Sequence, residues 1–141
     1  TVTYYGRGPE ENYWDRRTGS PLGHYSAPID ALTHNYVMPQ ENGCRTDCRW
    51  VKFMTDEKET LVVDAGLGTV DFNVWPWTME NLEQAKHINE LVPSGYSTIN
   101  IDFRQTGVGG DNSWSPKARP MPKYQLNGSE YKYQFSLEVV K

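Results

Sequence analysis

The sequence predicts a mostly antiparallel β-sandwich carrying one short helix. Three observations point there. Apolar and polar residues alternate in several short runs, the period of a strand with one wet face. Aromatic residues make up 13% of the 141 positions, with five Trp and nine Tyr. Such side chains favour pleated, half-buried surfaces. Only one stretch has helical spacing, so sheets must find their partners in other sheets.

The elements follow in chain order. Residues 1–5, Thr1-Val2-Thr3-Tyr4-Tyr5, read as a strand, and residues 34–38 as another ended by Pro39. Over residues 44–54 the apolar set is first even (Cys44, Cys48, Trp50) and then odd (Val51, Phe53). That phase slip predicts a β-bulge or a strand covered on both sides. Residues 60–65 form a further strand. Val70, Phe72 and Val74 alternate with Asp71 and Asn73, and Ile99, Ile101 and Phe103 with Thr98, Asn100 and Asp102. From Tyr131 to Val139 every odd residue is apolar and every even one polar. Asn127-Gly128 reads as the hairpin turn before that last strand, although Asn127-Gly128-Ser129 also matches a glycosylation sequon.

The helix is expected to start at Thr78 as N-cap, with Glu80 in the first turn where the dipole favours an acid. Its apolar residues, Met79, Leu82, Ala85, Ile88 and Leu91, recur in steps of three and drift around the axis. Pro93-Ser94-Gly95 ends it. Residues 6–23 and 104–122 are long and irregular. Loops of such length are usually functional or disordered, and a content of Gly, Pro, Arg, Trp and Asp rather than Ser, Gln and Glu filler points to function.

Bulk composition bounds the function. The length suits one domain with no visible internal repeat or linker, able to bury a core without disulfides. No apolar run approaches a membrane span, so no membrane association is expected. The chain starts at Thr1 with no leader-like segment, which predicts a piece of something longer. Net charge is −4 with both signs interspersed. Arg16-Arg17 and Lys117 with Arg119 are too small a basic cluster for nucleic acid. Cys44 and Cys48 would lie ~13 Å apart along a strand, too far for a disulfide. Two thiols without a nearby His do not make a zinc site. Both are expected to be unpaired.

Catalytic constellations are hard to find. Glu10-Glu11 are adjacent and point to opposite faces of an extended chain, whereas a retaining glycosidase needs its two carboxyls ~5–5.5 Å apart. Asp15, Asp102 and Asp111 have nothing in the sequence to pair them. Loop acids beside Arg7, Arg16 and Arg17 are expected in ion pairs. Gly107 to Asn112 contains part of a dinucleotide fingerprint, but Pro116, Pro120 and Pro122 prevent the helix such a site needs. The glycines instead permit a tight positive-φ loop that presents Trp114. No serine sits in a nucleophile elbow, and His24, His34 and His87 are scattered. Trp114, between Ser113 and Ser115, has two readings: an indole face for the C–H side of a sugar, or a plug for the sandwich rim.

Three motifs then stop being generic. Gly6-Arg7-Gly8-Pro9-Glu10-Glu11-Asn12-Tyr13-Trp14-Asp15-Arg16 resembles the G-x-G-P-x-E-N-Y-x-D-R segment of bacterial β-galactosidases of glycoside hydrolase family two. Tyr36-Val37-Met38-Pro39-Gln40-Glu41-Asn42-Gly43 is similar to that family's Y-V-x-P-x-E-N-G. Gly107 to Gly110 with Asp111-Asn112-Ser113-Trp114-Ser115-Pro116 looks like its G-x-G-G-D-D-S-W-S-P. Order and spacing agree along essentially the whole chain.

The resemblance implies the last, small-chain domain of a multidomain enzyme, residues 1–141 being its C-terminal half or so. The fold it implies is a large antiparallel supersandwich like galactose mutarotase. The family hydrolyses terminal β-D-galactosides such as lactose with retention. Its two catalytic glutamates lie on a separate (β/α) barrel domain, and no residue here matches either. Trp114 matches the tryptophan that reaches into the substrate pocket as a sugar platform; Asp111, Asn112 and Ser113 match the loop that positions it. Asn112 replaces the family's usual Asp. The Gly6–Arg16 motif is expected to be scaffold, with Arg7, Glu10 and Arg16 in ion pairs. The family's magnesium and monovalent cation sites lie mainly on other domains, so no cofactor or metal is expected in this chain. Expected partners are the galactoside, the barrel domain of the same chain, and further copies of the intact protein. Compartment, cytoplasmic or periplasmic, is left open. The rival readings are a freestanding carbohydrate-binding module and an aldose 1-epimerase-like protein.

Overall fold

The computed structural model describes residues 1–56, 58–110, 112 and 114–141. Among them are eight strands and one α-helix: β1 (Val2–Arg7), β2 (Leu22–Ala27), β3 (Arg45–Cys48), β4 (Trp50–Met54), β5 (Thr60–Asp64), β6 (Val70–Trp75), α1 (Met79–Gln84), β7 (Thr98–Asp102) and β8 (Ser136–Val140). They form two antiparallel sheets, ordered β2-β1-β4-β5-β8 and β3-β6-β7. The fold is a β-sandwich with one short helix, as the alternation predicted.

The period of two builds the core. Alternate residues of the larger sheet, Val2, Tyr4, Val51, Phe53 and Val63, meet Val70, Phe72 and Val74 of the smaller one. Phe72 is the keystone, edge-on to Tyr4 at 5.2 Å and to Phe53 at 5.9 Å between ring centroids. Edge-to-face pairs of this kind add to area burial. Cys44 and Cys48 are buried and unpaired, as expected.

The phase slip over residues 44–54 marks a change of sheet. β3 pairs with β6 in the smaller sheet, and β4 pairs with β1 and β5 in the larger. Within β3 the register against β6 also shifts, between Arg45 and Cys48, and Asp47 there adopts φ 56°. One run of sequence therefore serves two layers, and its apolar side must swap.

Other expectations are corrected. Residues 34–38 are not a strand; the chain turns there, and the His34 amide N–H donates to Asn42 Oδ1 at 2.8 Å. β2, unforeseen, starts at the end of the first irregular stretch and is an edge strand whose Gly23 and exposed Leu22 break the apolar pattern. β6 has no wet face: all six residues are buried. Asn73 is satisfied there by donating to Glu41 Oε1 at 3.0 Å and accepting from Asn100 at 2.6 Å.

The last strand is shorter than its alternation. Only Ser136–Val140 pairs with β5; residues 131–135 do not join a ladder. Leu137 and Val139 stay 60% and 62% exposed because the five-stranded sheet extends past the three-stranded one. Phe103, Tyr131, Tyr133 and Phe135 instead form a chain of aromatic contacts at 5.5–6.1 Å. Asn127-Gly128 is not a hairpin turn, because the partner of β8 is β5 rather than a preceding strand. The helical stretch breaks in two. Thr78 Oγ1 accepts from the Asn81 amide at 3.1 Å as predicted, but α1 stops at Gln84 and residues 88–90 form a separate 3₁₀ turn. The drifting apolar stripe is the cause: one straight helix has no single face that buries all five residues.

Candidate functional site

The second irregular stretch returns to the first. Two consecutive amides of the glycine loop, Val108 N–H and Gly109 N–H, donate to the two carboxylate oxygens of Asp15, at 3.0 and 2.7 Å. Arg16 donates to the Gly109 carbonyl. Gly107 N–H donates to the Tyr124 carbonyl at 2.7 Å and Gly110 N–H to that of Ala118 at 3.0 Å. Gly109 and Gly110 sit at φ 65° and 109°, where a side chain is strained. The tight positive-φ loop expected from the glycines is present.

Past the loop, Asn112 Oδ1 accepts from Trp114 N–H at 3.1 Å and Ser115 N–H at 2.9 Å. This is the local turn chemistry that Asn and Asp share. The sequence from 116 to 118 is a single 3₁₀ turn opened by Pro116 and capped by Ser115 Oγ. The indole of Trp114 is 85% exposed. It borders an open hollow of about 660 Å³ with Val108, Asn112, Ser115, Arg119 and Pro120. Asp111 and Ser113 lie outside the described residues.

On the other side of the same loop runs a larger cleft of about 1120 Å³, lined by Glu11, Tyr13, Tyr36, Glu41, Asp102 and Arg104 among others. Its acids are committed. Glu11 accepts from Tyr36 Oη, from Gly43 N–H at 2.8 Å and from Tyr13 Oη at 3.4 Å. Glu41 and Asp102 share the amide of Gln105, at 2.6 and 3.3 Å. Burial, with Glu11 adding to it, pushes the Tyr36 phenol up to about 12 and Tyr13 higher still. Both phenols are neutral donors, and neither is set up to take a proton. Asp102 is raised by burial, which the Gln105 hydrogen bond opposes.

The remaining candidates are spread out. Arg7 and Arg17 both pair with Asp47, at 2.6 and 2.9 Å, and Arg16 lies 3.9 Å from Asp15. Glu10 is exposed and makes no ion pair among the described residues, contrary to expectation; its neighbour Glu11 is the residue at work. His24 stacks on Tyr5, His34 packs at a tilt against Tyr36, and His87 pairs with Glu90 at 2.8 Å. No group of three or more His, Cys, Asp or Glu comes together as metal ligands among the described residues.

Sequence reasoning missed the roles of three residues that hold this end of the molecule. Asp15 grips a loop 93 and 94 positions away. Glu11 ties three segments. Arg45, 3% exposed, donates to the carbonyls of Pro9, Leu32 and Gly43 at 2.7–3.2 Å, with no carboxylate partner among the described residues. The available signal was a string of polar residues inside a strand-like run and a loop, where a solvated role is the default.

The family described as Beta galactosidase small chain matches residues 1–137. The β-galactosidase of Priestia megaterium is 38% identical over 138 residues, covering 98% of this chain and 13% of that protein. That of Vibrio cholerae is 38% identical over 138 residues, covering 98% and 12%. That of Leuconostoc mesenteroides is 38% identical over 135 residues, covering 96% and 12%. The chain thus spans only 12–13% of the length of these relatives.

Proposed function

This chain belongs to the β-galactosidase small-chain family, and we propose that it supplies one wall of a galactoside-binding site in a much larger β-galactosidase. Trp114 is the platform. The reacting carboxylates, the magnesium and the monovalent cation lie outside this chain, on other domains of the same polypeptide. The intact enzyme hydrolyses terminal β-D-galactosides such as lactose and assembles from several copies.

One observation carries this reading. A large indole stands 85% exposed on a backbone whose amides are tied down on both sides. Leaving such a ring in water forfeits its burial energy, and fixing the backbone beneath it costs entropy. Both costs make sense if the ring meets a ligand. Its flat apolar face suits the C–H face of a galactosyl ring, and its N–H can donate a bond. Asn112 sets the backbone of Trp114, and Asp111 and Ser113 share that loop.

The fragment supplies no acid–base pair of its own and should not turn over a chromogenic galactoside. In the intact enzyme, Trp114→Ala should weaken galactoside binding by roughly 5- to 150-fold, the loss of about 1–3 kcal/mol of aromatic contact. Turnover by the purified fragment, or wild-type kinetics for the mutant, overturns the reading.

A further inference from the structure

We propose that Asp15 is the positioning residue for Trp114: its carboxylate sets the glycine loop on which the indole is mounted. The geometry stands by itself; the consequence for galactosides rests on the role proposed for Trp114.

The loop cannot hold its own shape. Residues 107–110 contain three glycines and one side chain, Val108, which is half exposed. Two of those glycines occupy left-handed backbone. Such a segment has the most conformational freedom to lose and the fewest side-chain contacts to hold it. Its shape must be imposed from outside.

Asp15 does so with both oxygens. Each accepts from one of two consecutive amides, at 3.0 and 2.7 Å, and the side chain is only 4% exposed. A charged acceptor shielded from water makes the stronger kind of hydrogen bond. Two bonds from one rigid carboxylate also fix the direction of the peptide planes. Arg16 holds the opposite pole, the Gly109 carbonyl. The close approach requires glycine, since a Cβ at Gly107 would lie 2.8 Å from Asp15 Cγ and 2.9 Å from Tyr124 Cβ. From this clamp the backbone runs only a few residues to Asn112, whose side chain fixes the Trp114 amide. The Asp15-Arg16 pair at the end of the first motif therefore acts on the tryptophan of the last.

The test has two arms. The 141-residue chain is labelled with 5-fluorotryptophan, and Trp114→Phe identifies the ¹⁹F resonance of Trp114. Asp15→Ala should shift and narrow that resonance and leave those of buried Trp75 and Trp77 in place. Asp15→Asn, which keeps one acceptor oxygen, should recover part of the change. In the intact galactosidase, Asp15→Ala should raise KM for a galactoside at least about threefold with a smaller effect on kcat. In a Trp114→Phe background it should add less than about twofold, because residues acting as a unit are not additive.

An unmoved Trp114 resonance, or the same KM penalty with and without Trp114, overturns the proposal. If Asp15→Ala moves the resonance while Trp114→Phe leaves galactoside kinetics untouched, the clamp stands and the galactoside role of Trp114 falls. Should Asp15→Ala fail to fold, Arg16→Ala removes only a half-exposed arm of the clamp. It should move the resonance less and in the same direction, and no movement there overturns the proposal.

Discussion

Asp71 makes stability fall as pH rises. It sits in the middle of the molecule on β6, 3% exposed, opposite Asp102 of β7. One oxygen accepts from the Asp47 amide at 3.1 Å; the other, Oδ2, is buried with no hydrogen-bond partner among the described residues. Burial raises its pKa from 3.8 to about 7, against the opposing pull of the Asp47 amide and of Arg104. The folded state therefore holds a proton that the unfolded chain releases near pH 4. The stability this gives is fully present below about pH 4 and is lost as pH rises through about 7. A displacement of about 3 pKa units at 1.36 kcal/mol each is roughly 4 kcal/mol. That is a large part of the 5–15 kcal/mol typical of a domain. Asp71→Asn keeps the acceptor for Asp47 and removes the charge. Urea unfolding of wild type and mutant at about pH 5 and about pH 8 measures the effect. The mutant should gain on wild type by about 2–3 kcal/mol between the two, the part of the shift that lies above pH 5, since other titrating groups cancel in the difference. An equal difference at both pH values would refute the argument.

Two further outcomes follow from buried polar groups. Arg45→Met leaves the carbonyls of Pro9, Leu32 and Gly43 without their donor. It should cost about 3–5 kcal/mol in urea unfolding, as removing one member of a buried polar set does. A loss under about 1 kcal/mol would show that water reaches those carbonyls. Cys44 and Cys48 are buried, and burial together with Asp71 holds both thiols well above their ordinary value. Iodoacetamide near pH 8 should modify them at least about a hundredfold more slowly than a free thiol until urea opens the fold. Rapid modification of the native chain would contradict the packing.

The layers were legible because a period of two is a local property of the chain. β1, β4, β5, β6 and β7 each announce themselves by alternation or by an apolar run, and the Thr78 cap by its own hydroxyl. Legibility failed where a neighbour far along the chain decides. The polar residues of β6 read as a wet face, yet both are buried, Asn73 against Asn100 and Glu41, and Asp71 against the Asp47 amide. The odd face of the last run reads as core, but the opposing sheet stops short of Leu137 and Val139. β2 is an edge strand, and an edge demands little of its sequence. An exposed Trp114 was one of the two readings that its flanking Ser and Gly residues left open. What holds it was not legible, because no spacing rule joins Asp15 to Gly109. The whole first motif read as scaffold; its last two residues turn out to support the tryptophan loop.

The most direct measurement is a structure of the intact galactosidase with a galactoside bound. The account predicts the Trp114 indole lying flat against the C–H face of the galactosyl ring at about 4 Å, van der Waals contact, with Asp15 still gripping the loop behind it. An indole packed on another domain, with no sugar atom in contact, would contradict it.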